Sequence, residues 1–189
     1  MEKRYDAIIV GGGPAGLSAA IYMARARFHV LVIEKEKMGG QITITSEVVN
    51  YPGVYKTDGE ALTREMVRQA EAFGAEFLTA EVKGLSLTGE MKVVHTDRGD
   101  LETMGIIYAA GAHPRLAGFS GEKEFRGHGV AYCATCDGEF FTGKDIFVVG
   151  GGYAAVEEAL FLTKYGRKVH VLVRGDDFSI SSAAVDELK

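Results

Sequence analysis

The sequence predicts an α/β chain built from two copies of one strand–turn–helix–strand unit. Three observations carry this. Near the start, "YDAIIVGGGPAGLSAAIYMARARFHVLVIEK" passes from an apolar stretch through a glycine-rich turn into apolar residues at helical spacing. The run "KDIFVVGGGYAAVEEALFLTKYGRKVHVLVR" repeats that order 139 positions later. Between the two lie a helical stretch, short strands and both cysteines of the chain.

In the first copy, residues 7–10 are continuously apolar, as in a parallel strand buried on both faces. Gly11, Gly13 and Gly16 then fit G-x-G-x-x-G. The first glycine permits the tight turn, the second lets backbone approach a pyrophosphate, and the third lets helix and strand pack closely. A phosphate would meet free N–H groups at the helix N-terminus. Leu17, Ala20, Ile21 and Ala24 recur at helical spacing. Residues 30–33 form the second strand, and Glu34 ends it 18 residues after Gly16, where a carboxylate accepts hydrogen bonds from a ribose diol. A glycine-rich turn alone is a weak signal. With strand, helix and acid in place it points to a dinucleotide with an unphosphorylated ribose, against a bland turn in some other α/β protein.

Residues 57–77 carry Leu62, Met66, Ala70 and Phe73 at helical spacing, with Gly74 as a stop. Residues 81–112 read as short strands between glycine turns, finishing in an apolar run over 106–110. Pro114 and glycines 118, 121, 127 and 129 loosen the composition. The domain boundary is placed there, giving domains 1–114 and 115–189.

In the second copy, Gly11 and Gly13 fall on Gly150 and Gly152, and Gly16 falls on Ala155. Glu34 falls on Val173 and Lys35 on Arg174. The ribose-binding acid is replaced and a cation stands beside its slot. That change favours a 2′-phosphate, hence NADPH over NADH. The bland alternative for Arg174 is a solvated charge at a strand end.

The length of 189 residues suits one domain or two small ones. A net charge of −5 without a basic stripe argues against nucleic acid. No apolar run approaches the roughly 20 residues of a membrane span, and the N-terminus lacks a signal-peptide pattern. The expected compartment is the cytoplasm.

Cys133 and Cys136 stand in "AYCATCDGEFF", followed by Asp137. Two cysteines are too few for a disulfide scaffold, and none of the five histidines pairs with them at zinc-ligand spacing. A redox pair is the favoured reading. Half a metal site and coincidental thiols are the alternatives. Asp137 is either an acid–base for the thiols or a turn residue in Asp-Gly.

The assembled motifs resemble the low-molecular-weight bacterial thioredoxin reductases, from Tyr5 to about Arg174. "GGGPAGLSAAIYMAR" is similar to the family's FAD fingerprint, "GGQITITSEVVNYPG" to its flavin-contacting loop, "GHGVAYCATCDGEFF" to its redox site, and "VVGGGYAAVEEALFL" to its NADPH fingerprint. The resemblance implies two Rossmann-like dinucleotide-binding domains of three-layer ββα type, the second apparently truncated. It implies FAD on Gly11, Gly13, Pro14, Ala15, Gly16, Glu34 and Lys35. Gly40, Gln41, Asn50, Val82, Ala110 and Gly111 complete that set. NADPH falls to Gly150, Gly152, Tyr153, Ala154, Ala155 and Arg174. Cys136 becomes the flavin-facing thiol, Cys133 the one that meets a thioredoxin-like partner, and Asp137 the acid that protonates a leaving thiolate, in a pocket supplied by Phe140 and Phe141. A homodimer is implied as well.

Three departures stand against this pattern. Where the family has a His-Arg-Arg run and a further arginine, this chain has "VRGDDFS", with Gly175 and Ser179 in place of arginines and Asp176 and Asp177 adding negative charge. "YAAGAHPR" replaces the usual Ala-Thr-Gly. The chain also stops after two strands of the second fold, so an uncovered sheet and incomplete core are expected. The leading expectation is an FAD-dependent, NADPH-driven reductase of thioredoxin-like disulfides. Its rivals are the same chemistry with NADH or a ferredoxin as donor, and a non-catalytic nucleotide-binding fragment.

Overall fold

The computed structural model describes residues 4–188. Their contacts divide the chain into two compact units, Met1–His113 and Pro114–Lys189.

The first unit runs β1 (Tyr5–Val10), α1 (Pro14–Arg25), β2 (Val30–Glu34), a 3-10 turn over Gly40–Ile44, α2 (Gly59–Ala72), β3 (Glu76–Thr79), β4 (Val82–Ser86), β5 (Lys92–Thr96) and β6 (Gly99–Tyr108). The strand order is β3-β2-β1-β6-β5-β4. β1 pairs in parallel with β2 and β6, and β2 with β3, while β4, β5 and β6 form an antiparallel meander. β6 belongs to both arrangements: Thr103 pairs with Lys92 of the meander and with Tyr5 of the parallel sheet. The strand therefore starts at Gly99, well before the apolar run expected at 106. Its first half is amphipathic, so apolarity alone hides it.

Alternation along the strands sorts the core into layers. Ile8, Val10, Leu31 and Ile33 pack with Val94, Leu85 and Leu101 of the meander. Ile9, Val30 and Val32 point the other way and pack with Ala20 and Ala24 of α1 and Ala70 of α2. The result is meander, parallel sheet, helices. α2 begins where the Asp58 carboxylate accepts a hydrogen bond from the Ala61 N–H at 2.7 Å, and it ends just before Gly74, whose φ is +96°.

The second unit holds α3 (Ala134–Asp137), a 3-10 turn over Gly138–Phe141, β7 (Asp145–Val149), α4 (Tyr153–Leu162), β8 (Lys168–Leu172) and α5 (Ala183–Leu188). β7 and β8 pair in parallel, Ile146 on Val169 through Val149 on Leu172. This is the β1–β2 register carried 139 positions on. Val156, Ala159 and Leu162 bury the inner face of α4. On one face of the two-stranded sheet, Phe147, Val149 and Leu172 remain 60%, 50% and 48% exposed. Ahead of the cysteines, buried Glu122 accepts hydrogen bonds from the Ala117 and Gly118 N–H groups and the Tyr132 hydroxyl, which orders that loop.

Candidate functional site

The first glycine turn is forced by its neighbours. Gly11 has φ +112°, and a Cβ there would lie 2.2 Å from the Ala109 carbonyl oxygen and 2.9 Å from Ala110 N. A Cβ on Gly16 would lie 1.9 Å from the Gly11 carbonyl oxygen. Gly13 caps α1 without a side chain, and Pro14 supplies the first helical position. Ala15 is exposed on the same turn.

Opposite this turn stands the Gly39–Gly40 bend. A Cβ on Gly40 would come within 2.9 Å of Gly13 Cα. Backbone thus faces backbone, in a cradle that side chains would fill. Gln41 donates its side-chain amide N–H to the Ala112 carbonyl, tying the 3-10 turn to the loop that holds Ala110 and exposed Gly111. Glu34 reaches the same turn: its Oε2 accepts the Gly12 N–H at 2.9 Å and its Oε1 the Glu36 N–H at 3.2 Å. A carboxylate has roughly four acceptor sites, so room remains for a ribose hydroxyl.

The structure thus brings together Gly11, Gly13, Gly16, Glu34, Gly40, Gln41 and Ala110. It does not gather every expected residue. Lys35 is exposed, with its Nζ 3.8 Å from Glu36. Asn50 is exposed and makes no hydrogen bond among the described residues. The Val82 side chain packs into the core beneath the meander. Gly39 was read only as part of the motif "GGQITITSEVVNYPG" and given no role of its own, although its N–H donates to the Gly12 carbonyl at 2.8 Å and its φ is +123°. The Gly-Gly pair was the available signal.

The second turn repeats the first. Gly150 has φ +147°, and Gly152 caps α4 without a side chain. Tyr153 and Ala154 are exposed on the first turn of α4, with Ala155 behind them. In place of a carboxylate, the Val173 side chain sits 3.1 Å from where a Gly151 Cβ would be. Arg174 is exposed and makes no ion pair among the described residues. Ser179, which stands where an arginine was expected, donates both its N–H and its hydroxyl to the Gly151 carbonyl, each at 2.9 Å. It closes the loop after β8 onto the glycine turn.

Cys133 and Cys136 form a disulfide, with Cα atoms 5.3 Å apart. Cys133 is the N-cap of α3, Cys136 lies within that single turn, and Asp137 ends it. The Asp137 carboxyl has no hydrogen-bond partner among the described residues, and burial raises its pKa above the ordinary aspartate value. Of the two phenylalanines expected to wall it, Phe141 is half-buried. Phe140 is 46% exposed. At Gly138 the packing partners are Leu162, Phe161 and Tyr165, at or just beyond the C-terminus of α4, 3.2 to 3.5 Å from where a Cβ would lie. Glu158 of α4 was also missed. Burial raises its pKa above the ordinary glutamate value, with the Ala134 backbone N–H opposing the shift. The signal was an acid three and four residues before Phe161 and Leu162, on the apolar face. No cluster of three or more potential metal ligands occurs among the described residues, and no helix among them is long and apolar enough to cross a membrane.

The chain is 49% identical over 178 residues to a thioredoxin reductase of Peptoclostridium acidaminophilum, an alignment covering 94% of this chain and 56% of that protein. It is 44% identical to a thioredoxin reductase of Bacillus subtilis, covering 96% and 57%. The crystal structure of thioredoxin reductase from Streptococcus pyogenes superposes with a TM-score of 0.93 at 39% identity, covering 99% of this chain and 61% of that one. The chain thus spans little more than half the length of the curated relatives it matches. Over residues 5–189 it matches the pyridine nucleotide-disulphide oxidoreductase family, and it belongs to that family.

Proposed function

We propose that this chain carries the flavin turn, the second nucleotide turn and the redox disulfide of an NADPH-dependent flavoprotein disulfide reductase. Its acceptor is thioredoxin or a thioredoxin-like protein, in the cytoplasm, and its assembly is a homodimer. The observation that carries the reading is the pair of matching glycine turns, with a closed Cys-x-x-Cys disulfide on the helix turn just before the second.

The residues fit the groups this requires. A Cβ on Gly11 or Gly40 would press on facing backbone, at 2.2 and 2.9 Å, which leaves a backbone-lined cradle beside Gly13. Pro14, Ala15 and Gly16 open the helix beside it, and Glu34 would hold a ribose. Lys35, Asn50, Val82, Ala110 and Gly111 complete the FAD set by family pattern. FAD, when bound, supplies a carrier that accepts two electrons from a pyridine nucleotide and yields them to a disulfide. At the second turn Gly150, Gly152, Tyr153, Ala154 and Ala155 would take the pyrophosphate, and Arg174 would pair with a 2′-phosphate.

The chain's own chemistry lies in residues 133–137. Two electrons and two protons convert Cys133–Cys136 to a dithiol. One thiolate then attacks the partner's disulfide, forming a mixed disulfide and expelling a partner thiolate. The second cysteine breaks the mixed disulfide, which restores Cys133–Cys136 and releases the second partner sulfur. Each expelled thiolate needs a proton. Asp137, unpartnered and with its pKa raised by burial, is the group placed to supply it.

A different donor, NADH or a ferredoxin, is favoured by one observation. Ser179 spends its N–H and hydroxyl on Gly151 and leaves Arg174 as the one cation between residues 173 and 180. Anaerobic addition of NADPH, followed by the visible spectrum of the purified chain, separates the readings. Bleaching of a flavin band near one equivalent supports NADPH. A flavin band that persists with NADPH but bleaches with NADH moves the donor, and a chain without flavin removes the reductase reading.

A further inference from the structure

We propose that Ser86, His95 and Asp100 form a second catalytic site, a serine–histidine–aspartate triad on the outer face of the meander that hydrolyses small uncharged esters. The site lies on β4, β5 and β6. It uses neither glycine turn nor the disulfide, so it is independent of the reductase reading.

Strand alternation brings the three side chains together. Leu85, Val94 and Leu101 pack into the core beneath the meander, so their neighbours Gly84, Ser86, His95 and Asp100 point outward. His95 stands opposite Gly84 on β4 and opposite Asp100 on β6, and Ser86 is diagonal to it. Asp100 Oδ1 lies 2.9 Å from His95 Nδ1, and Ser86 Oγ lies 2.8 Å from His95 Nε2. An ionised carboxylate can only accept, so the Nδ1–H donates to Asp100. Nε2 then holds the lone pair and accepts the Ser86 hydroxyl. This is the arrangement a serine nucleophile requires: a base on the hydroxyl and a carboxylate that fixes the tautomer of the base. It is recognised by geometry, on unrelated folds and in several chain orders.

The surroundings leave room for a substrate. Gly84 has no side chain, and even a Cβ there would stay 3.8 Å from the ring's Cδ2, so that side of His95 is open. Ser86 is exposed, and Leu87 after it is 58% exposed, an apolar contact for a short acyl chain. The N–H groups of Leu87, Thr88 and Gly89 make no hydrogen bond among the described residues. They are donors available to a carbonyl oxygen as it becomes negative. The other charged side chains of the three strands are engaged: Lys83 with Glu81, Lys92 with the Gly89 carbonyl, and Glu102 with Arg4 at 3.9 Å. No free charge on these strands selects an ionic substrate.

In the reaction the Ser86 oxygen attacks the ester carbonyl while its proton passes to Nε2. The bond to the alcohol oxygen breaks, and His95 gives that proton to the departing alkoxide. Water then attacks the acyl-serine and yields a proton to Nε2. The acid leaves, and Ser86 takes the proton back. The competing reading is mechanical, since cross-strand polar pairs also tie a meander together.

The test uses the full chain with Cys133–Cys136 oxidised, so that no thiol contributes. It is given p-nitrophenyl acetate and, in parallel, a fluorophosphonate probe located by peptide mass spectrometry. The parent should release p-nitrophenolate well past one equivalent per chain and carry the phosphonyl group on Ser86. Ser86→Ala should abolish the label and the turnover. His95→Ala should slow labelling about a hundredfold, the scale of a lost general base. Asp100→Asn should lower kcat about tenfold with KM unchanged, and Asp100→Glu should recover part of it. The effect is small for a triad because Asp100 is 64% exposed. These surface variants should keep the parent's melting temperature. An unlabelled Ser86 overturns the proposal, as do labelling without turnover, release that persists in Ser86→Ala, and equal labelling in His95→Ala. A melting temperature that falls while label and turnover hold also overturns it and leaves the mechanical tie. A chain without flavin removes the reductase reading and leaves this one intact.

Discussion

The two glycine turns share a backbone and differ in the residue at the strand end and in what covers the sheet. Gly11 donates to the Ile33 carbonyl at 2.8 Å, and Gly150 to the Leu172 carbonyl at 3.0 Å. Leu17 donates to Gly13 at 2.9 Å, and Val156 to Gly152 at 3.1 Å. Even the returning loop recurs, with Gly39 on Gly12 at 2.8 Å and Ser179 on Gly151 at 2.9 Å. Yet Val173 stands where Glu34 does, and among the described residues the meander that seals Ile8, Val10 and Ile33 has no counterpart over Phe147, Val149 and Leu172. Backbone geometry here is a property of the glycines. Under the proposed function, ligand choice falls to one strand-end residue, and stability is a property of what covers the sheet.

The largest expected effect tests cover. Ile8 is fully buried, and Phe147 holds the matching position at 60% exposure. Ile8→Ala should cost about 2–5 kcal/mol, and Phe147→Ala less than about 1.5 kcal/mol, in urea unfolding followed by circular dichroism. Equal losses would mean that the second sheet face is covered in solution.

Ligand choice is tested next. Glu34→Val makes the first turn resemble the second. It removes the acceptor of the Gly12 N–H and the ribose acid, and should weaken FAD retention about tenfold to a hundredfold, at roughly 1.5–3 kcal/mol for a hydrogen bond to a charged group. Flavin fluorescence released on gel filtration reads this directly. Unchanged retention would remove Glu34 from the site.

Arg174→Ala sharpens the donor question. If its guanidinium meets a 2′-phosphate, kcat/KM for NADPH should fall about tenfold while that for NADH holds, the size of one exposed charge-assisted contact. Equal values for both nucleotides would return Arg174 to a solvated strand-end charge.

The smallest effect concerns Asp137. Burial raises its pKa in the folded chain, so the folded state binds more protons there than the unfolded one. Stability linked to this group is therefore full below the unfolded pKa and is lost as pH rises through the folded one. Asp137→Asn should raise the urea midpoint at neutral pH and leave it unchanged in acid, where the carboxyl is protonated in both states. The same variant should slow thiol exchange, since an amide cannot donate the proton. A midpoint difference of equal size at both pH values would assign the effect to packing.

Much of this was legible in the residues. The repeat at 139 positions, the turn glycines and the strand-end exchange of Glu34 for Val173 are local patterns, and local backbone sterics dictate what glycines at those spacings do. Glu158 was not legible, because an acid in "VEEALFL" reads as a solvated helix charge until α3 is laid against it. Ser179 read as the loss of an arginine, and folding gave it a partner 28 residues away. Gly39 and Gly40 were seen as a motif, but their approach to Gly12 and Gly13 needed the sheet to set the spacing.

By itself, then, the sequence determined the two glycine turns, the helices and strands that flank them, and the cysteine pair between. These depend on residues near each other in the chain, where φ/ψ limits and side-chain period suffice. Only the tertiary structure decided that β6 serves meander and sheet together, and that the end of α4 packs against Gly138 just beyond the cysteine turn. Each of these joins residues distant in sequence, and such pairings are set by which faces the whole core leaves to be buried.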